Sequence, residues 1–146
     1  LRASFSGSND KLSPLKDEIK LCIDYLEMQK IRFGQSLRYS INIDQDKLQN
    51  GFVPAFSIQP LLENAIKHNE LTRLLPLVIT VDNMNERIIV SNNLQPKPAN
   101  ESTTGSGLLN LSERYKLLSD EEIQIENDGK TFKVSLKILK NENRNY

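Results

Sequence analysis

Apolar residues in this chain recur at two different spacings, and each spacing predicts a different kind of element. Recurrence every three or four residues predicts three helices, which cover about residues 15–33, 57–69 and 108–118. Ser13 and Pro14 suit the start of the first helix, as a capping hydroxyl followed by a proline at the first helical position. Each helix is therefore predicted to be amphipathic, with one apolar stripe turned towards a core.

Alternation of apolar and polar residues predicts strands between and after these helices. A polar turn joins the second strand to the third, and Asn127-Asp128-Gly129, a strong hairpin signal, joins the last two. A polar connection without regular structure is predicted at residues 44–51. The predicted strands cover residues 37–43, 77–81, 87–90, 123–125 and 132–139.

A long irregular loop is predicted between residues 91 and 107, where asparagine, proline, serine and threonine replace apolar residues. A loop of this length in a compact domain is usually a functional lid or a disordered segment. The predicted order is then helix, strand, helix, hairpin, lid, helix, hairpin. Because strands and helices do not alternate strictly, we expect an α+β fold in which a mixed sheet carries helices on one face.

Composition limits the classes of function. With 146 residues, of which 38% are hydrophobic and 26% charged, the chain suits one globular domain with a real core. Lys+Arg and Asp+Glu both number 19, so nothing indicates a broad nucleic-acid or membrane footprint. No apolar run approaches the roughly 20 residues that span a bilayer. The start, LRASFSGSND, looks like the cut edge of a longer chain, and the single cysteine, Cys22, is expected in the core.

The polar edge of the central helix is the first candidate site. Asn64, Lys67 and His68 stand at relative positions i, i+3 and i+4, so they share one helix face beside the apolar stripe. An asparagine offers a neutral oxygen to Mg²⁺, and lysine and histidine offer donors to phosphate oxygens. The same residues could equally form the solvated edge of a core helix, so the pattern leaves both interpretations open.

Two further patterns carry weaker signals. Gly105-Ser106-Gly107 opens a helix after the long loop, and glycines there would let the backbone approach a phosphate at the helix N-terminus, although a loop hinge has the same pattern. Ser91-Asn92-Asn93 ends a predicted strand, and its amides could bind a planar base or simply form a turn. The sequence matches neither a Walker loop nor a Rossmann fingerprint.

These patterns occur in a recognisable order, namely QPLLENAIKH, a strand ending in SNN, a long loop, and GSGLLNLSERY. In this order they closely resemble the ATP-binding domain of bacterial sensor histidine kinases, and more narrowly the LytS/YehU-type subfamily. The segment YLEMQKIRFG, followed by a strand, is also similar to that subfamily. The resemblance covers about residues 15–139. It implies the Bergerat fold, a two-layer sandwich in which a mixed, mostly antiparallel sheet packs on helices.

The resemblance also implies roles for residues of the central helix. Asn64 matches the family's asparagine that ligates Mg²⁺ between the ATP phosphates. Lys67, His68 and Asn69 match positions that line the phosphates. The implied cofactors are therefore ATP and Mg²⁺, with Asn64 as the metal ligand that this chain supplies.

The remaining implied nucleotide contacts follow the central helix. Asn92 falls where the family usually has an aspartate that accepts from the adenine amino group, and Leu94 stands where a glycine is usual. Both departures bring adenine affinity and lid geometry into question. The implied ATP lid covers residues 94–106. Its closing motif adds to the cofactor-binding set Thr104, Gly105, Gly107 and Leu108.

The implied activity is transfer of the ATP γ-phosphoryl group to a histidine, with this domain positioning Mg²⁺-ATP. The subfamily's acceptor histidine lies upstream in a motif resembling HFLFN, which is not found here, so no catalytic residue is assigned. One domain is expected over residues 1–146, with residues 1–11 as the tail of a preceding region. The resemblance further implies dimerisation through upstream helices, a response-regulator partner, no nucleic-acid partner, and a cytoplasmic location beneath an inner-membrane anchor that precedes this chain.

Two alternatives stay open. Asn92 and Leu94 favour a degenerate domain with weak or no nucleotide binding, which would serve as a regulatory or interaction module. A nucleotide hydrolase of the same fold has less support. Pro60 stands four residues before Asn64, where such ATPases usually carry a catalytic glutamate.

Overall fold

The computed structural model describes residues 11–97 and 106–140, with only the backbone described at residues 106 and 107. Its helices are α1 (Leu15–Phe33), α2 (Gln45–Asn50), α3 (Gln59–His68) and α4 (Ser106–Ser119), and a 3₁₀ turn follows α1 at Gly34–Ser36. Its strands are β1 (Leu12–Pro14), β2 (Leu37–Asn42), β3 (Phe52–Pro54), β4 (Leu77–Met84), β5 (Arg87–Asn93), β6 (Gln124–Asn127) and β7 (Thr131–Lys137).

A five-stranded sheet has the order β2-β4-β5-β7-β6. The β2–β4 pair is parallel, and the other neighbours are antiparallel. A separate antiparallel ribbon pairs β1 with β3. The sheet is therefore mixed and mostly antiparallel, as the resemblance implied.

Helices cover one face of this sheet. On β4, Leu77, Ile79 and Val81 are buried, whereas Val78 between them is exposed, because successive side chains of a strand point to opposite faces. The buried face meets apolar residues of α1, α3 and α4 in one continuous core. The α+β, two-layer prediction is confirmed.

The predicted helices and hairpins are all found, with changes at their boundaries. The central helix begins at Gln59 and not near Ser57, and α2 and β3 occupy a region predicted to be a polar connection or unassigned. Strand β5 extends through Asn93. Residues 91–93 are therefore strand and not the start of the irregular loop.

The predicted cap of the first helix is wrong. Pro14 occupies the cap position, without a side-chain cap hydrogen bond, and the helix starts at Leu15. Ser13 instead lies opposite Val53 in the β1–β3 ribbon. The pairing of these residues across a long sequence separation overrides the local capping signal.

The chain reverses sharply before α3. Phe56 has a φ angle of 60°, which is unusual for a residue with a bulky side chain. Its backbone N–H donates to the Glu18 carboxylate of α1 at 2.9 Å. Arg114 of α4 donates to the carbonyl oxygens of Ala55 at 2.7 Å and of Phe56 at 3.2 Å. Two charged side chains thus fix the entry to the central helix.

None of the helices in the described part of the chain is long and apolar enough to cross a membrane.

Cys22 is predicted to be chemically inert while the protein is folded. Its side chain is fully buried, and burial, together with the nearby Glu18 charge, raises the pKa of its thiol to about 12. At pH 8 the reactive thiolate should then be on the order of one molecule in ten thousand. Mass spectrometry after iodoacetamide treatment should show slow labelling of the native protein and fast labelling in urea. Equal rates in the two states would contradict this burial.

Candidate functional site

A cavity of about 310 Å³ opens between α3 and the sheet. Its wall combines residues from α3, from the end of β5 and the residue after it, from α4, and from the β6–β7 hairpin. These segments are far apart in sequence, so the fold creates the cavity. The lining residues are Leu61, Asn64, Ala65, His68, Asn69, Asn92, Leu94, Leu108, Asn127 and Phe132.

The apolar stripe of α3 decides which of its polar residues reach this cavity. Leu61, Leu62, Ala65 and Ile66 are buried, which turns one polar edge of the helix towards the cavity. Asn64 and His68 lie on this edge, are half-buried, and line the cavity. The third residue of the predicted group, Lys67, is exposed and does not belong to the described lining.

Asn92 presents its amide at the sheet side of the cavity. The residue is only 6% exposed, and its Nδ2 donates to the backbone oxygen of Asn93 at 2.8 Å. That bond uses one of the two N–H groups of the amide nitrogen within the protein, and the carbonyl oxygen is the acceptor that Asn92 can offer to a ligand. Phe132 lies directly opposite Asn92 in the β5–β7 register and provides apolar wall beside it.

Asn69 lines the cavity but is also bound to protein groups through both atoms of its amide. Its Nδ2 donates to the oxygen of Ala65 at 2.9 Å, and its Oδ1 accepts from the backbone N–H of Gln95 at 2.6 Å. The residue is 4% exposed. It therefore closes the end of α3 and ties that end to the chain that follows β5.

The first residues of the implied lid are held against the protein. Leu94 donates its N–H to the oxygen of Lys130 at 2.9 Å, and Lys97 donates to the oxygen of His68 at 3.2 Å. Within the closing motif, Gly107 lies in the first turn of α4 and Leu108 lines the cavity. Thr104 and Gly105 lie outside the described residues, as does the lid from residue 98 to residue 105.

Sequence reasoning missed the contribution of the last hairpin. The sequence indicates only a turn at Asn127, yet this residue lines the cavity with Phe132. The predicted turn contact is also present, because Asn127 Oδ1 accepts the N–H of Gly129 at 2.9 Å. The strand pairing that sets Phe132 opposite Asn92 was the missing information. A predicted strand order would have supplied it.

A second cavity, of about 520 Å³, lies between the start of α3 and α4. It shares Leu61 and Asn64 with the first cavity. Asn64 consequently borders both openings. Phe56, Pro60 and Arg114 also line this second space.

The fold is that of histidine kinase catalytic domains. The cytoplasmic segment of histidine kinase QseC superposes with a TM-score of 0.57 at 13% sequence identity, covering 89% of this chain and 78% of that one. A histidine kinase from Burkholderia phymatum STM815 gives a TM-score of 0.55 at 14% identity, with 95% and 76% coverage. The catalytic domain of histidine kinase ThkA gives 0.51 at 20% identity, with 87% and 94% coverage.

Sequence comparison identifies the more specific relatives. The chain is 35% identical over 132 residues to the sensor histidine kinase/phosphatase LytS of Staphylococcus aureus strain MRSA252, covering 79% of this chain. It is 34% identical to LytS of strain N315 over the same length. The chain spans 22% of the length of these relatives. No family model matches it. The resemblance to the LytS-type sensor histidine kinases is nevertheless confirmed.

The Asn92→Asp substitution tests the amide geometry at the sheet side of the cavity. A carboxylate cannot donate to the Asn93 oxygen, and at this burial it would be poorly solvated beside that oxygen. We expect the free energy of unfolding at pH 7 to fall by about 1 to 3 kcal/mol. Urea denaturation followed by circular dichroism measures the change.

The matched control is Asn85→Asp, which makes the same chemical change in an exposed turn. It should change stability by less than about 0.5 kcal/mol. Equal stability of the Asn92→Asp variant and the parent would show that the Asn92 amide does not donate inside the protein.

Proposed function

We propose that this chain binds Mg²⁺-ATP and is the catalytic ATP-binding module of a bacterial two-component sensor histidine kinase. The observation that carries the proposal is the 310 Å³ cavity, which gathers Asn64, His68 and Asn92 beside a continuous apolar wall. Pockets for small ligands typically combine such a wall with a few polar groups that fix orientation. Similarity to histidine kinases in fold and in sequence supports the same conclusion.

The end of the cavity near Asn92 suits an adenine base. Leu94, Leu108 and Phe132 supply apolar surface for the faces of a planar ring. The Asn92 oxygen can accept from the exocyclic amino group, since the amide nitrogen is already bound to Asn93. A neutral acceptor and apolar contacts would together select adenine over guanine, which has no amino group at the corresponding ring position.

The end near Asn64 suits the phosphates. The described lining of the 310 Å³ cavity includes no aspartate or glutamate, whereas Glu113 lines the adjoining cavity that Asn64 also borders. His68 can donate to a phosphate oxygen. Lys67, although outside the lining, adds a positive charge on the neighbouring turn of the helix. Asn69 is the less suitable contact, because both amide atoms already bind protein groups.

Magnesium fits this site only together with the nucleotide. Among the described residues no group of three or more His, Cys, Asp or Glu side chains could hold a metal ion. Asn64 offers one neutral oxygen, and Mg²⁺ commonly takes one or two protein ligands and completes its shell with phosphate oxygens and water. When bound, the ion would neutralise charge on the phosphates. Asn64 is the residue of this chain that would hold it.

The phosphoryl acceptor is proposed to be a histidine outside this chain. His68 is the single histidine of the sequence, and it lines the proposed nucleotide cavity. We further propose that the complete protein dimerises through helices upstream of this domain, is anchored in the inner membrane through its N-terminal region, and passes the phosphoryl group to a response regulator. No nucleic-acid partner is proposed, since the net charge is zero.

The alternative function is that of a regulatory or interaction module with the same fold and little nucleotide affinity. Asn92 and Leu94 favour it, because they replace the aspartate and the glycine usual in the family. Calorimetric titration of this chain with a non-hydrolysable ATP analogue, with and without Mg²⁺, separates the two. Saturable binding that Mg²⁺ strengthens supports the kinase module. The regulatory module predicts no binding at millimolar analogue.

Asn64→Ala should weaken binding of the ATP analogue in the presence of Mg²⁺ by about tenfold, which corresponds to about 1.4 kcal/mol. Without Mg²⁺ the loss should be much smaller, because the proposed contact is to the ion. Asn42→Ala is the control, since Asn42 is exposed on β2 and lines neither cavity. An Asn64→Ala protein that binds Mg²⁺-analogue as tightly as the parent would rule out the proposed metal ligand.

The isolated chain should not phosphorylate itself. Transfer requires the acceptor to be held close to the γ-phosphate in a reactive orientation, and the proposed acceptor histidine is on another segment. Incubation with radiolabelled Mg²⁺-ATP should leave no acid-labile label on the protein. Stable label on His68, located by mass spectrometry and absent from a His68→Gln variant, would overturn this assignment.

A further inference from the structure

Two residues next to the cavity, Asn69 and Gln95, join its opposite walls. Asn69 ends the helix wall at α3, and Gln95 follows the sheet wall at β5. We call the pair, with the backbone groups that it binds, the Asn69–Gln95 clamp. Its contacts are hydrogen bonds between protein groups and do not involve any ligand.

The nitrogen and the oxygen of the Asn69 amide bind different segments of the protein. The Nδ2 group donates to Ala65 within α3 itself, at 2.9 Å. The Oδ1 atom accepts from the Gln95 N–H across the gap between the walls, at 2.6 Å. The second bond is partly buried, since Asn69 is only 4% exposed and Gln95 is half-buried. The Asn69 amide therefore links the end of α3 to the chain that follows β5.

Gln95 extends the connection on its other side. Its backbone oxygen accepts from the Glu70 N–H at 2.8 Å. Its side-chain Nε2 donates to the oxygen of Glu70 at 3.0 Å and to the oxygen of Leu75 at 2.8 Å. The Gln95 side chain thus ties the loop between α3 and β4 to the segment that follows β5.

The clamp fixes a residue on each side of the cavity. On the helix side, the oxygen of His68 accepts the Lys97 N–H at 3.2 Å. On the sheet side, Leu94 precedes Gln95 and is also bound to Lys130 through its N–H at 2.9 Å. His68 and Leu94 both line the cavity. The bonds of Asn69 and Gln95 join the segment next to His68 to the segment next to Leu94.

We propose that Gln95 is a positioning residue for the nucleotide, whose side chain holds the segment after the His68 helix and the segment that carries Leu94 at the separation that the ligand requires. This inference rests on the proposed function for its ligand. Gln95 does not belong to the described lining of the cavity. An effect of a Gln95 substitution on binding must therefore be indirect, through the positions of the residues that line the cavity.

The test compares Gln95→Ala with Asn83→Ala. Asn83 also links distant segments through a side-chain amide, since its Oδ1 accepts the Asp44 N–H at 2.7 Å, but it lines neither cavity. Gln95→Ala removes the two Nε2 bonds to Glu70 and Leu75 and keeps the backbone bond to Asn69. We expect it to weaken binding of the Mg²⁺-ATP analogue about fivefold, and Asn83→Ala to leave binding unchanged. Calorimetry is run well below the unfolding transition of each variant. Unchanged affinity in Gln95→Ala, or an equal loss in both variants, would overturn the proposal.

A second measurement tests the Asn69–Gln95 clamp without any nucleotide. His68 is the chain's single histidine, so one imidazole Cε1–H signal in the proton NMR spectrum reports on the helix wall. We expect this signal to shift or broaden in Gln95→Ala and to keep its position in Asn83→Ala. If the parent protein fails to bind the analogue, the proposed function fails, and the His68 signal still tests the clamp. An unchanged signal in Gln95→Ala would overturn the positioning role.

Discussion

Burial of the apolar stripe on α3 is the constraint on which the rest of the site depends. Fully burying a side chain such as Leu61, Leu62 or Ile66 stabilises the fold by about 1.5 to 3 kcal/mol each. A single hydrogen bond at the polar edge contributes only about 1 kcal/mol net. The stripe therefore sets the rotation of the helix, and the polar edge takes the position that this rotation leaves. Asn64 and His68 reach the cavity and Lys67 reaches solvent for that reason.

The parts of the fold that sequence predicted are those whose signal is local. Helices α1, α3 and α4 and the two hairpins show their periodicity within a few turns or within one strand pair. The predicted Ser13 cap is wrong because the β1–β3 ribbon pairs Ser13 with Val53, a residue far along the chain. The role of Phe132 was missed for the same reason, since only the β5–β7 register sets it opposite Asn92. Sequence patterns identified the polar residues of α3, and tertiary packing decided which of them share a cavity.

Asparagine predominates among the polar groups of the cavity wall, at positions 64, 69, 92 and 127. An amide can donate and accept at once, so an asparagine can bind the protein with one atom and offer the other to a ligand. Asn92 follows this pattern, and Asn69 departs from it by binding the protein with both atoms. A carboxylate in any of these positions could accept but not donate. The wall thereby gains internal hydrogen bonds, and its described lining carries no carboxylate.

Asn92 and Leu94, the two departures from the family pattern, line the same cavity. In the proposed nucleotide complex, an amide acceptor in place of a carboxylate would lose about 1 kcal/mol of charge assistance in a hydrogen bond to the base. Apolar burial contributes roughly 25 cal/mol per Å², so roughly 40 Å² of additional contact between base and wall offsets that loss. Leu94 lines the cavity and can supply contact that a glycine cannot. The side chain contributes only while its backbone stays in place, which its bond to Lys130 and the Asn69–Gln95 clamp secure from both sides.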